Sequence, residues 1–163
     1  MKRLSLIDLA FLVVETEDSP KHVAGLTILQ PPADAAPGYA QRLYDELRTH
    51  RRPREPFNQV VNFLGLGGPH WRPVEGFNLD DHLFLHEPEQ PLDRSALHAL
   101  VAELHTPQLD RSRPLWEYHI IDGLDDGRFA IYSKIHHAYA DGVTLTRWTA
   151  EALSDRPQAE RFK

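Results

Sequence analysis

Two alternating runs, Leu115 to Ile121 and Arg128 to His137, flank the connection Asp122-Gly123-Leu124-Asp125-Asp126-Gly127 and constrain this chain more than any other feature. Acids and glycines in so short a connection suit a hairpin turn, so the two runs are predicted to pair antiparallel. Along the second run Phe129, Ile131, Ser133, Ile135 and His137 share one face, while Ala130, Tyr132, Lys134 and His136 share the other. The first face is the more apolar. Packed inward, it would carry the His137 imidazole into the interior at the strand's C-terminal edge, where ligands of open α/β sheets commonly sit.

A hairpin alone does not bury enough surface to be stable, so other elements must cover it. Ser5 and Asp8 have the spacing of a capping box, and Leu6, Leu9, Ala10, Phe11, Val13 and Val14 give the short helix behind it a wide apolar surface. Residues 22–29 are rich in β-formers and read as a strand. The prolines and Gly38 of 31–38 lead into a helix from Tyr39 to His50 with Leu43, Tyr44 and Leu47 as its buried stripe. Arg48, Arg51, Arg52 and Arg54 with His50 read as a solvated basic face, with phosphate contact as the alternative. Residues 57–64 are predicted as a strand. The glycines of 65–69 form a loop and no phosphate cradle, because no lysine and serine or threonine follow them at the required spacing. Asp93 caps a helix that carries Leu97, Leu100, Val101 and Leu104 on one side. A last helix is expected over 143–153, with Leu145, Trp148, Thr149 and Ala152 on one side, before a polar stretch at 154–163. Strands and helices mixed in this way predict an α/β domain with a mixed sheet layered against helices.

Composition excludes several function classes. No window reaches the roughly 20 apolar residues of a membrane span, and Asp8 and Glu15 interrupt the apolar N-terminal stretch, against a signal peptide. A cytoplasmic chain is the default expectation. Zero cysteines exclude a thiol nucleophile and zinc-thiolate sites, and a net charge of -6 argues against general nucleic-acid binding.

The chemistry concentrates in Ile135-His136-His137-Ala138-Tyr139-Ala140-Asp141-Gly142. Taken by itself, a histidine pair at a strand end is more often structural than catalytic, and Asp141 has the simpler role of capping the helix that follows. A metal site is the weaker alternative, because neighbouring strand residues point to opposite faces and His137 with Asp141 would offer only two ligands.

His136, His137, Asp141 and Gly142 spell His-His-x-x-x-Asp-Gly, which resembles the signature of the CoA-dependent acyltransferase superfamily. The run Leu4 to Leu12, then Glu15-Thr16 and His22 to Leu26, resembles the opening of the bacterial wax ester synthase/diacylglycerol acyltransferase family. Leu109-Asp110-Arg111-Ser112-Arg113-Pro114-Leu115-Trp116-Glu117 extends the likeness, while Asn78 stands where the family's Phe-Asp-Leu-Asp strand carries its first acid.

The resemblance implies the N-terminal half of a chloramphenicol-acetyltransferase-like fold, a two-layer mixed-sheet domain over 1–153, with 154–163 opening an interdomain linker and the C-terminal half absent, separate or missing. It implies O-acyl transfer from acyl-CoA, a substrate and not a cofactor, to diacylglycerol or a long-chain alcohol. His137 would be the general base, and His136 would shape the pocket or satisfy a backbone group. Asp141 would be a structural acid paired with a cation, and Gly142 would allow close backbone approach. Pro114, Leu115 and Trp116 are expected to be mainly structural, with Trp116 in the core or in a tunnel wall. The arginine cluster could then meet the phosphates of coenzyme A. The expected location is peripheral, at the inner membrane or lipid bodies, with an apolar patch around His137, Ile135 and Trp116 left for the other half to cover. Rival readings are a non-catalytic lipid- or partner-binding half and a condensation-type acyltransferase with another acceptor.

Overall fold

The computed structural model describes residues 3–50, 53–64, 67–140, 144, 146 and 147, the His50 side chain excepted. In chain order its elements are α1 (Leu6–Val14), β1 (His22–Leu29), α2 (Tyr39–His50), β2 (Gln59–Asn62), β3 (His70–Pro73), a 3-10 turn (Leu79–Asp81), β4 (Leu83–His86), α3 (Arg94–His105), β5 (Trp116–Ile121) and β6 (Phe129–His136).

The predicted hairpin is the centre of the molecule. β5 and β6 pair antiparallel from Trp116 opposite Ile135 to Ile121 opposite Ala130. Gly123 and Gly127 take φ of 72° and 77° in the connection, a region open to glycine at no steric cost. Gly123 is constrained twice, since an added Cβ would stand 3.2 Å from Cγ of Pro88. β1 runs antiparallel along the whole of β6, from His22 opposite His136 to Leu29 opposite Phe129. β4 joins the other edge parallel to β5, giving one mixed sheet in the order β1-β6-β5-β4, with β2 and β3 as a separate hairpin.

Helix-on-sheet layering occurs on both faces. Ile121, Ala130 and Tyr132 pack against Leu97, Leu100, Val101 and Leu104 of α3. Phe129, Ile120 and Leu83 meet Ala40, Leu43, Tyr44 and Leu47 of α2. β6 is therefore not a strand with one inward face: Phe129, Ala130, Tyr132, Lys134, Ile135 and His136 are all buried. Alternation could not reveal this, because a strand covered on both sides has no solvent face for its pattern to report. α3 starts where Asp93 predicts, the carboxylate accepting from the Ala96 amide at 2.7 Å.

Other expectations change. The strand predicted over 57–64 contracts to β2. In α1 the capping box forms, Ser5 and Asp8 each binding the other's amide, yet only Leu12 is buried. Leu6, Ile7, Val13 and Val14 stay 86%, 70%, 70% and 56% exposed. A helix apolar on nearly every side gives no periodic signal for which residue faces the core. Most of the helix expected at 143–153, and all of 154–163, lie outside the described residues. Among the described residues no helix is long and apolar enough to cross a membrane.

Candidate active site

β6 ends one residue earlier than expected, at His136, and His137 opens the turn that follows. The His137 amide still donates to the Lys21 carbonyl at 2.8 Å, continuing the β1–β6 ladder by one bond. Tyr139 closes the turn. Its amide donates to the His136 carbonyl at 2.9 Å, and its hydroxyl accepts from the Leu115 amide at 3.1 Å and donates to the Gln59 carbonyl. Burial pushes the Tyr139 hydroxyl well above its ordinary range, the Leu115 amide opposing that only in part. Trp71 of β3 lies against the Tyr139 ring, 4.7 Å between centroids, so the small hairpin supplies one wall for the turn.

Along that wall is a cavity of about 450 Å³, lined by Ile7, Asp8 and Phe11 of α1 with its N-cap Ser5, by Gln59 and Trp71 of the small hairpin with Pro56 just before it, and by His137 to Ala140 with Thr144. The His137 ring is stacked on Phe11, centroids 4.6 Å apart and planes 11° from parallel. Its Nδ1 is enclosed with no hydrogen-bond partner among the described residues. A neutral imidazole has one donor and one acceptor nitrogen, so with Nδ1 enclosed, exchange with a molecule in the cavity falls to Nε2.

The histidine carried fully into the interior is His136, not His137. It is 0% exposed, whereas His137 keeps partial exposure. His136 Nδ1 accepts from the Ala138 amide at 3.0 Å, which places the proton of the neutral ring on Nε2. That nitrogen faces the Glu15 carboxylate at 3.5 Å, too long and too poorly aligned for a good hydrogen bond. Burial pushes the His136 pKa down, with the Glu15 charge opposing. Burial dominates, so we treat the pair as a neutral imidazole beside a carboxylate. Glu15 is itself enclosed, its side chain 1% exposed. Burial pushes its carboxyl up, but the Lys21 amide at 2.9 Å and the Arg111 guanidinium at 2.8 Å outweigh that and hold it below the usual range. Arg111 also donates to the Leu12 carbonyl at 2.6 Å, anchoring the end of α1.

Pro114 and Leu115 are buried, Leu115 within the cluster of Leu12, Trp71, Leu109 and Ala138. Trp116 is not on the cavity wall. It stacks on His82 at 4.6 Å and donates from Nε1 to the Phe57 carbonyl at 2.8 Å. The wall tryptophan is Trp71. Among the described residues the apolar patch expected around His137, Ile135 and Trp116 is not formed, since Ile135 is 7% exposed and Trp116 is packed among rings; the large apolar residues left exposed are four of α1 together with Ile28, Phe63 and Leu64. Arg48 forms a two-bond pair with Asp80 at 2.7 and 2.8 Å. Arg51 and Arg52 lie outside the described residues, as do Asp141 and Gly142, so the cation expected beside Asp141 does not enter the geometry. Among the described residues no three His, Asp or Glu side chains gather as a metal site requires. No functional role for Phe11, Glu15, Trp71, Arg111 or Tyr139 was legible from spacing, since they are scattered along the chain and only folding brings them to the His136-His137 turn.

Residues 4–163 match the model of the wax ester synthase/diacylglycerol acyltransferase catalytic domain. A Mycobacterium tuberculosis protein named as a probable diacylglycerol O-acyltransferase is 38% identical over 160 residues, covering 96% of this chain. An O-acyltransferase of Acinetobacter baylyi is 37% identical over 155 residues, covering 94%. The chain spans about a third of the length of these curated relatives, 33% in both cases. The wax ester synthase/diacylglycerol acyltransferase structure from Marinobacter aquaeolei superposes with a TM-score of 0.90 at 36% identity, covering 97% of this chain and 40% of that one. A condensation domain involved in chain release from the enacyloxin polyketide synthase superposes with a TM-score of 0.64 at 18% identity, a likeness of fold alone.

Proposed function

The chain belongs to the wax ester synthase/diacylglycerol acyltransferase family, and on that footing we propose that its cavity takes part in acyl transfer from acyl-CoA to diacylglycerol or a long-chain alcohol, with His137 as the general base. The observation that carries the reading is the His137 ring on the wall of the cavity, held flat against Phe11 and tied through its backbone to Lys21. In the step proposed, Nε2 takes the hydroxyl proton as the alcohol oxygen attacks the thioester carbonyl. The C–S bond then breaks, and the departing thiolate receives the proton back. Such catalysis contributes roughly 10²- to 10⁴-fold. His136, enclosed and bonded to the Ala138 amide, shapes the turn and does not reach substrate.

The chain spans about a third of the length of its curated relatives, which supports a reading in which a further, C-terminal portion supplies the acceptor side of the site and the second wall of the cavity. Asp141 and Gly142 keep the roles the family implies, a charge-paired loop anchor and a close-approach position. The exposed apolar side of α1, whose Ile7 also lines the cavity, supports peripheral association with a lipid surface.

The test is transfer from labelled palmitoyl-CoA to hexadecanol or diolein, by the chain alone and with the C-terminal portion supplied. His137→Ala should lower turnover at least a hundredfold with folding intact, and activity within tenfold of wild type would refute the assignment. Acyl-CoA binding without turnover under either condition would favour the non-catalytic binding half.

A further inference from the structure

We infer that Glu15 is the positioning residue of the histidine pair: one buried carboxylate at the end of α1 holds the backbone that holds His137, and at the same time faces Nε2 of His136, the ring nitrogen opposite the one bonded to the Ala138 amide. Its Oε1 accepts from the Lys21 amide at 2.9 Å, and the carbonyl of the same residue accepts from the His137 amide at 2.8 Å. Its Oε2 takes two bonds from Arg111, at 2.8 and 3.2 Å, and stands 3.5 Å from His136 Nε2. The arrangement continues through α1. Arg111 ties the Leu12 carbonyl to that carboxylate, and Phe11, one residue earlier, is the ring on which His137 lies.

The physical logic is that of a costly group kept for a purpose. A carboxylate 1% exposed must be fully bonded to remain charged, and a buried ion pair adds little stability compared with apolar side chains of the same volume. Here one oxygen bonds to the Lys21 amide behind His137, and the other faces His136 while Arg111 holds it against the end of α1. With Glu15 charged, the His136 proton is drawn to Nε2 and the Nδ1 lone pair is left for the Ala138 amide, which sets the backbone one residue past His137. A base displaced by about 1 Å can lose roughly a hundredfold in rate, so such fixing matters to catalysis even though Glu15 is not placed in the cavity. The inference rests on His137 being the reacting base. The measurements below need no turnover, so their failure is separate from failure of the transfer assay.

The experiment follows the imidazole nitrogens and backbone amides of the 163-residue chain by NMR, in wild type, Glu15→Gln and Arg111→Gln. In wild type His136 should be the Nε2–H tautomer, with the Phe11 ring shifting the His137 ring protons upfield. Glu15→Gln should move the His136 titration to lower pH, and Arg111→Gln, which leaves the carboxylate charge unopposed, should move it to higher pH. The opposite signs test that both charges act at the His136 ring, and the His137 amide and ring shifts test the positioning. Glu15→Gln should also speed exchange of the His137 amide at least tenfold relative to amides in the centre of β6, and reduce the upfield shift. If both variants shift His136 the same way, or His137 exchange stays within twofold of wild type, the inference is overturned. A Glu15→Gln chain that does not fold would make Glu15 a residue of the core and overturn it equally.

Discussion

Replacing Lys134 by Met isolates the value of the buried cation in the middle strand. Its side chain is 1% exposed, and Nζ has three partners: the Leu104 carbonyl at 2.8 Å, the Pro107 carbonyl at 3.1 Å and the Glu117 carboxylate at 3.0 Å. Met has similar length, so little cavity forms and the loss is electrostatic. Removing one partner of a buried pair costs about 3–5 kcal/mol, because the other charge stays behind. Glu117 is a quarter exposed and keeps a 3.3 Å contact with His119, which argues for the lower end. The two carbonyls left at the end of α3 add about 1 kcal/mol, some water reaching them. The expected loss is about 4 kcal/mol, which at about 2 kcal/mol per molar urea lowers the midpoint by about 2 M at pH 7. Adding Glu117→Gln should restore about half of it. Burial pushes the Glu117 carboxyl up, but the bonds from His119 and Lys134 outweigh that and hold it below the usual range. Its stabilisation is therefore complete above the ordinary carboxyl pKa and lost as pH falls through the lower, folded value, so the acid limb should flatten in Lys134→Met. A loss under about 1 kcal/mol, or a double variant no more stable than the single, would refute the reasoning.

His22 has both ring nitrogens enclosed without hydrogen-bond partners among the described residues, and burial, with His105 and Lys134 nearby, pushes its pKa down to about 4. The unfolded chain binds that proton near pH 6.5, so stability should fall as pH drops from about 6.5 toward 4, and His22→Leu should remove that part of the slope in urea titrations. Leu12→Ala should cost about 2–5 kcal/mol, because this 2% exposed side chain anchors α1 in the cluster beneath the cavity. Leu6→Ala, on an 86% exposed residue of the same helix, should stay within about 0.5 kcal/mol in the same unfolding assay.

Local chemistry made much of the fold legible. Ser5 with Asp8, Asp93 before an i, i+3, i+4, i+7 pattern, and glycines flanking an acidic turn are signals that act within a few residues, and each appears where it was predicted. The family, and with it the importance of His136 and His137, was likewise written in short strings of residues. Which side of an element is buried was legible only where one side is polar. α2, with Leu43, Tyr44 and Leu47 as a stripe, was read correctly. α1 and β6, apolar or covered on nearly every side, were not, because burial there depends on what the rest of the chain brings against them.

The surroundings of the histidines belong wholly to tertiary structure. Glu15 and Arg111 are 96 residues apart in sequence and meet at 2.8 Å, and Tyr139 bonds to Gln59 across 80 residues. No spacing rule links such pairs. Sequence alone determined that an imidazole would end a central strand beside a second one. Only packing decided that His136 is sealed against a carboxylate while His137 turns onto Phe11 at the cavity wall, because a buried charge is tolerated only where several distant segments converge to bond it.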